Sequence, residues 1–267
     1  MIYTLNICQE AGSLSSAKRL PESASFHYNL TGNEHVISED RERLKIVTRA
    51  ILFDLDGTLI DTTDLILRCF SHSWRAVYGL EHERAALVAT FGIPLREAMR
   101  RLLAQKNDNP GDQDEALIER LLIEYRAFNV ANHDVVARPF DGTRAVVEAL
   151  RRRGYRIGVV TSKGRDLATR GLRLCALDEM IDAAIFLEDT QVHKPQPEPI
   201  LAALARLQVT PQEAAYVGDS CHDMVAGRRA GVKTVAALWG PMPRADLECE
   251  RPDHLADSIN DLLNIFP

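Results

Sequence analysis

Followed along the chain, the alternation of apolar and polar positions changes character several times. Residues 1–47 are rich in Ser, Glu and Asn with little apolar periodicity. This predicts a flexible N-terminal extension or a translation start placed too early, with a docking arm for a partner as the functional alternative. At 46–53, β-branched and apolar residues run together and stop at Asp54-Leu55-Asp56-Gly57-Thr58. That is the pattern of a buried strand ending in a tight polar turn. Over 64–136 the spacing becomes helical. Leu65, Ile66, Leu67, Phe70, Trp74 and Val77 recur at helix intervals, Gly79 stands where a C-terminal cap belongs, and 95–103 and 116–128 read the same way. No strand is predicted there, so a helical insert follows the first strand.

Strands then return. Asp141-Gly142-Thr143 opens a helix ending at Arg151-Arg152-Arg153-Gly154, where three arginines suit the negative end of a helix dipole better than an anion site. Strands are predicted at 155–160, 183–187, 214–217 and, as the last clear one, 233–238. Between them lie a helix at 197–207 with prolines in its first turn and a capping-box spacing at Thr210-Pro211-Gln212-Glu213. Alternating strands and helices predict an α/β fold: a Rossmann-like parallel sheet core with helices on both faces, plus an inserted all-helical subdomain. The core is expected at 48–63 and 137–267, the insert at 64–136. Ligands of such sheets sit beyond the C-terminal strand ends, and the polar clusters fall there: Asp54 and Asp56, Thr161, and Asp219.

Composition narrows the function classes. The 267 residues are 46% hydrophobic, enough for a large buried core, and the net charge of -6 shows no basic excess for nucleic acid. No apolar run is long enough to span a membrane, and the first residues do not form a secretory signal. Five scattered cysteines, Cys8, Cys69, Cys175, Cys221 and Cys249, argue against a disulfide framework or a zinc site and for a reducing cytoplasm. No interface pattern stands out, so a monomer or homodimer is expected.

The chemistry-bearing residues are carboxylates, one lysine and hydroxyls. Asp54 and Asp56 flank a turn opened by Gly57, and Gly218-Asp219-Ser220-Cys221-His222-Asp223 forms a second acidic cluster. Carboxylates converging in one pocket repel each other, and a hard divalent cation such as Mg2+ would relieve this and orient a phosphate. Lys194 adds positive charge for phosphate and for Asp54; Thr161 offers a hydroxyl donor, with Ser162 and Lys163 beside it. Together they supply a nucleophile, an acid/base and electrostatic stabilisation. Asp54 and Asp56 as a bare capping turn, Asp223 as a helix cap and Lys194 as a solvated lysine are the plain structural alternatives.

Asp54-Leu55-Asp56-Gly57-Thr58, Thr161, Lys194-Pro195 and Gly218-Asp219…Asp223 resemble, in order and spacing, the four motifs of the haloacid dehalogenase superfamily, from about residue 48 to the C-terminus. The resemblance implies a Mg2+-dependent phosphohydrolase. Asp54 would attack phosphorus and form an aspartyl-phosphate, and Asp56 would protonate the leaving group and then activate water. Asp54, the Asp56 carbonyl, Asp219 and Asp223 would serve the metal. Gly57, Thr58, Thr161, Ser162 and Lys194 would bind the phosphoryl group. The insert would be a mobile cap, with Gly92-Ile93-Pro94 where a specificity loop is expected. Arg96, Arg100, Arg126 and His133 are cap residues more in keeping with solvated helix charge than with substrate contacts. Trp74, Phe70 and Trp239 read as packing residues. Asp56 disfavours the dehalogenating and phosphonate-cleaving branches. The segments 125–129, 133–134, 158–163 and 192–199 look like the phosphoglycolate phosphatase group and its bacterial pyrophosphatase relatives, with 125–134 closer to the latter. A hexose-phosphate mutase and a non-catalytic binding protein are the alternatives.

Overall fold

A computed structural model describes residues 47–105 and 112–267, with only the backbone at 112–114. The expectation for 1–47 therefore lies, but for its last residue, outside the described residues. The chain enters the core at strand β1 (Ala50–Phe53), all four residues buried. A short strand β2 (Ile60–Asp61) follows, then four helices: α1 (Thr63–Tyr78), α2 (Arg84–Val88), α3 (Leu95–Ala104) and α4 (Asp112–Val136). Strand β3 (Arg138–Pro139) returns antiparallel against β2, so these two strands fence the stem of the helical insert. The core resumes with α5 (Thr143–Arg152), β4 (Arg156–Val160), α6 (Arg165–Leu174), β5 (Ala183–Ile185), α7 (Glu198–Leu207), β6 (Ala214–Gly218), α8 (Cys221–Ala230) and β7 (Lys233–Ala237). Helix α9 (Arg244–Cys249), β8 (His254–Ala256) and α10 (Leu262–Ile265) close it.

Six strands pair in parallel in the order β5-β4-β1-β6-β7-β8. Alternate residues of β1 point to opposite faces. Ile51 and Phe53 pack with Val146, Val147 and Leu150 of α5 and with Ala168 and Leu172 of α6. Ala50 and Leu52 pack with Ile200, Ala203 and Leu204 of α7 and with Ala226 of α8. Burial on both sides is why β1 reads as an unbroken apolar run rather than an alternating one. The insert's apolar residues, with Phe70, Trp74, Met99, Leu102, Leu121 and Leu122 among them, are buried in one cluster with Met224, Ala236, Met242 and Leu247 of the sheet domain. Among the described residues no helix is long and apolar enough to cross a membrane.

Two expectations need correction. The first strand starts at Ala50, because of 47–49 only Arg49 joins the ladder, with Arg49 N donating to Glu213 O and Arg156 N donating to Arg49 O. Strand β8 follows β7, the strand expected to be the last clear one; its three residues carry no alternating pattern and are strand only by pairing with β7. The β2–β3 pair is likewise too short for a pattern. Arg151 and Arg152 stand in the last turn of α5, as the dipole reading expects, and the side chains also bind elsewhere: Arg151 donates to Met180 O, Arg152 to Glu148, and Arg153 to Leu263 O and Phe266 O. The capping box at Thr210 is present, on a short 3-10 turn at Pro211–Glu213.

Candidate active site

The site is built at the C-terminal ends of β1, β4 and β6. Asp54 N donates to Val217 O at 2.9 Å, one rung beyond β1, and the amides of Thr58, Leu59 and Ile60 then all turn back to Leu55 O. This tight turn needs Gly57 at φ +84, and a Cβ there would stand 2.4 Å from Asp219 Oδ2. Only a glycine lets the turn lie against that carboxylate. Asp219 follows β6. Asp223 occupies the first turn of α8, where the amide and hydroxyl of Ser220 bond its Oδ2 and the Ser220 hydroxyl in turn accepts from Asp223 N. An acidic group there also suits the helix dipole.

The three aspartates and Lys194 form one buried group. Lys194 Nζ lies 2.9 Å from Asp54 Oδ1 and 2.7 Å from Asp223 Oδ1. Tyr216 OH, 3.1 Å from Lys194 Nζ, sits 3.0 Å from Asp223 Oδ1 and donates to Val160 O. Thr58 donates to Asp219 Oδ1 at 2.7 Å. Ligand oxygens of Asp54, Asp219 and Asp223 lie within 4.8 Å of one another. Three carboxylates thus share one ammonium, which leaves two negative charges uncompensated in a desolvated site. Burial, opposed by Lys194 and reinforced by Asp223, pushes Asp54 up to about 7. Burial and the charges of Asp54 and Asp223 push Asp219 well above the carboxylate range. Burial alone would lower Lys194, but Asp223 and Asp54 outweigh it and hold the ammonium above its ordinary value. Such a donor set fits a divalent hard cation.

A cavity of about 620 Å³ opens between this group and the helical insert. Asp54, Asp56, Thr161, Ser162 and Lys194 line it. Asp56 is oriented by Thr62, whose hydroxyl donates at 2.6 Å, and by Lys163 Nζ at 2.7 Å. Thr161 Oγ1 accepts from Lys163 N, and Ser162 Oγ donates to Gly92 O at 2.8 Å, tying the core to the insert. Asp219, Asp223, Gly57 and Thr58 stand behind this lining, and Thr58 reaches the site only through Asp219. Of the cap residues, Arg126 lines the cavity. Arg96 and Arg100 are instead paired with Glu97, Glu115 and Glu119 on the surface, and His133 is buried against Asp134. Trp239 donates to Thr58 O at 2.9 Å, so it supports the Asp54–Thr58 turn as well as packing.

Tyr216, Thr62 and the pairing of Lys163 with Asp56 were missed from the sequence. Tyr216 reads there as an ordinary strand residue. Lys163 carried a signal, since it stands two residues after Thr161.

Comparison with known proteins decides the family. Residues 51–237 match the haloacid dehalogenase-like hydrolase family. The chain belongs to that family, among its phosphatases. Pyrophosphatase PpaX of Bacillus thuringiensis is 37% identical over 216 residues, 81% of this chain and 95% of that protein. The haloacid dehalogenase-like hydrolase of Bacteroides fragilis superposes with a TM-score of 0.73 at 27% identity, over 80% of this chain and 99% of that one. A structure from Lactobacillus plantarum described as a phosphoglycolate phosphatase gives 0.71 at 26%, over 82% and 100%.

Proposed function

We propose that this hydrolase cleaves inorganic pyrophosphate with Asp54 as nucleophile and Mg2+ as cofactor. The observation that carries the reading is the buried group of Asp54, Asp219, Asp223 and Lys194, which meets Asp56 and Thr161 at one cavity. Asp54, Asp219 and the main-chain carbonyl of Asp56 would hold the metal. Asp223, both of whose oxygens are engaged, would act through water and through Lys194. Bound Mg2+ would neutralise the surplus carboxylate charge and the charge of the phosphate.

The placement of the residues supports the following roles. Asp54 attacks phosphorus as the bond to the leaving oxygen breaks, giving an aspartyl-phosphate. Lys194 and the Thr161 hydroxyl draw the charge of the transferring phosphoryl group. Asp56 gives its proton to the departing oxygen, then takes one from the water that hydrolyses the intermediate. Thr62 and Lys163 fix its carboxyl for both steps. Behind them, Thr58 and Gly57 position Asp219.

Pyrophosphate is preferred because the PpaX relative matches along nearly its whole length. A phosphoglycolate-type monoester is the second reading, supported by the Lactobacillus plantarum structure. Phosphate release from both compounds, with magnesium and with chelator, tests the choice. Activity that persists in chelator, or in Asp54→Asn, would overturn the mechanism. Isomerisation of a sugar phosphate without phosphate release would place the protein among the mutases.

A further inference from the structure

The wall that the helical insert presents to the cavity is largely apolar, with Ile66, Phe70, Ile93, Leu95 and Ala98 among its members. Arg126 on α4 is the one charged side chain that the insert contributes to this wall among the described residues. The core supplies three more cations, and each already has a carboxylate: Lys163 has Asp56, Arg170 has Asp134, and Lys194 has Asp54 and Asp223. Among the described residues, Arg126 has no carboxylate partner. Three positions further along α4, on the same face, the buried Asn129 also lines the cavity, and its Oδ1 has no hydrogen-bond partner. An amide can turn over to present either end, so this group can donate to a bound anion. The other end of the amide faces Cys69 and Tyr125, whose thiol and hydroxyl can pair with the oxygen when the group turns over. A buried amide oxygen left unpaired in a largely apolar wall costs stability, which favours that turn when an anion is bound.

We infer that Arg126 and Asn129 form a subsite for an anionic leaving group and make this enzyme selective for substrates that carry one. The inference rests on the phosphohydrolase reading above. Asp54 and Lys194 mark where the transferred phosphoryl group sits, and Arg126 offers the remaining part of the substrate a cation within the same cavity. The distal phosphate of pyrophosphate and the carboxylate of 2-phosphoglycolate both satisfy it; a phenyl leaving group does not.

The test compares kcat/KM for pyrophosphate, 2-phosphoglycolate and phenyl phosphate in the full-length wild type, Arg126→Gln, Arg126→Lys and Arg120→Gln. Arg120 is exposed on the same helix, as Arg126 is, but does not line the cavity. Arg126→Gln is expected to lower the ratio of pyrophosphate to phenyl phosphate at least about tenfold, mainly through KM, the size of a charge-assisted hydrogen bond. Arg126→Lys should restore part of it, and Arg120→Gln should keep the wild-type ratio. An unchanged ratio in Arg126→Gln, or an equal fall in Arg120→Gln, overturns the inference. If the wild type ignores pyrophosphate but cleaves 2-phosphoglycolate, the pyrophosphate reading fails, and the 2-phosphoglycolate ratio decides Arg126 in the same way. A wild type that cleaves neither overturns both.

Discussion

Lys194 is the cation on which the buried acids depend. Its side chain is 1% exposed and lies between Asp54 and Asp223, so removing it strands two carboxylates in a desolvated pocket. Lys194→Met should destabilise the protein by about 3–5 kcal/mol, read by chemical denaturation, because breaking a buried pair leaves uncompensated charge. Asp54→Asn should behave differently. It removes one of the surplus negative charges and keeps a similar shape, so stability should hold or rise while kcat falls by about 10³ or more. A large loss of stability in Asp54→Asn would contradict the charge imbalance described here. At this scale the sequence was informative about which side chains carry charge, and Asp54, Asp56 and Lys194 were legible from type and spacing. The hydroxyl of Tyr216 was not, because an aromatic residue inside a strand looks like core until its partners are known.

Among the elements, the loop between α2 and α3 is one place where the insert touches the core, beside the pairing of Arg170 on α6 with Asp134 on α4. Gly92 has φ +83, its carbonyl accepts from Ser162, and a Cβ on it would stand 2.4 Å from Ser220 Oγ. Ser220 in turn holds Asp223. Gly92→Ala should therefore lift the loop off the core, with a fall in kcat/KM of about tenfold or more and little change in far-UV circular dichroism. Wild-type kinetics in this variant would show that the contact is dispensable. The helices of the insert were readable from apolar spacing. The loop's contact with the core was not, since it joins residues 70 positions apart through one hydroxyl and one carbonyl.

For the molecule as a whole, the buried acid group should couple folding to pH and, on the proposed function, to metal. Held up at about 7, Asp54 binds its proton more tightly folded than unfolded. The stability this lends is complete below the ordinary carboxylate value and is lost as pH rises through about 7. In chelator the melting temperature should then fall between about pH 5 and about pH 8. Magnesium should raise it by several degrees at the higher pH and by less at the lower, because a ligating carboxylate must give up its proton. A magnesium effect that is equal at both pH values would dissociate the acid cluster from metal binding.

The sequence by itself determined the alternation of strands and helices, the helical insert and the polar residues at strand ends. Those follow from local periodicity and from where apolar runs stop. The six-stranded order could not be read from it, nor could β8, which exists only through a neighbour. Tertiary structure alone decided that Asp219 and Thr58 stand behind the cavity rather than in its wall, and that Arg126 faces the cavity while Arg96 and Arg100 turn to surface glutamates. The physical reason is that the sequence gives the chemistry and phase of a side chain, whereas its partners come from elements distant in the chain that packing brings together.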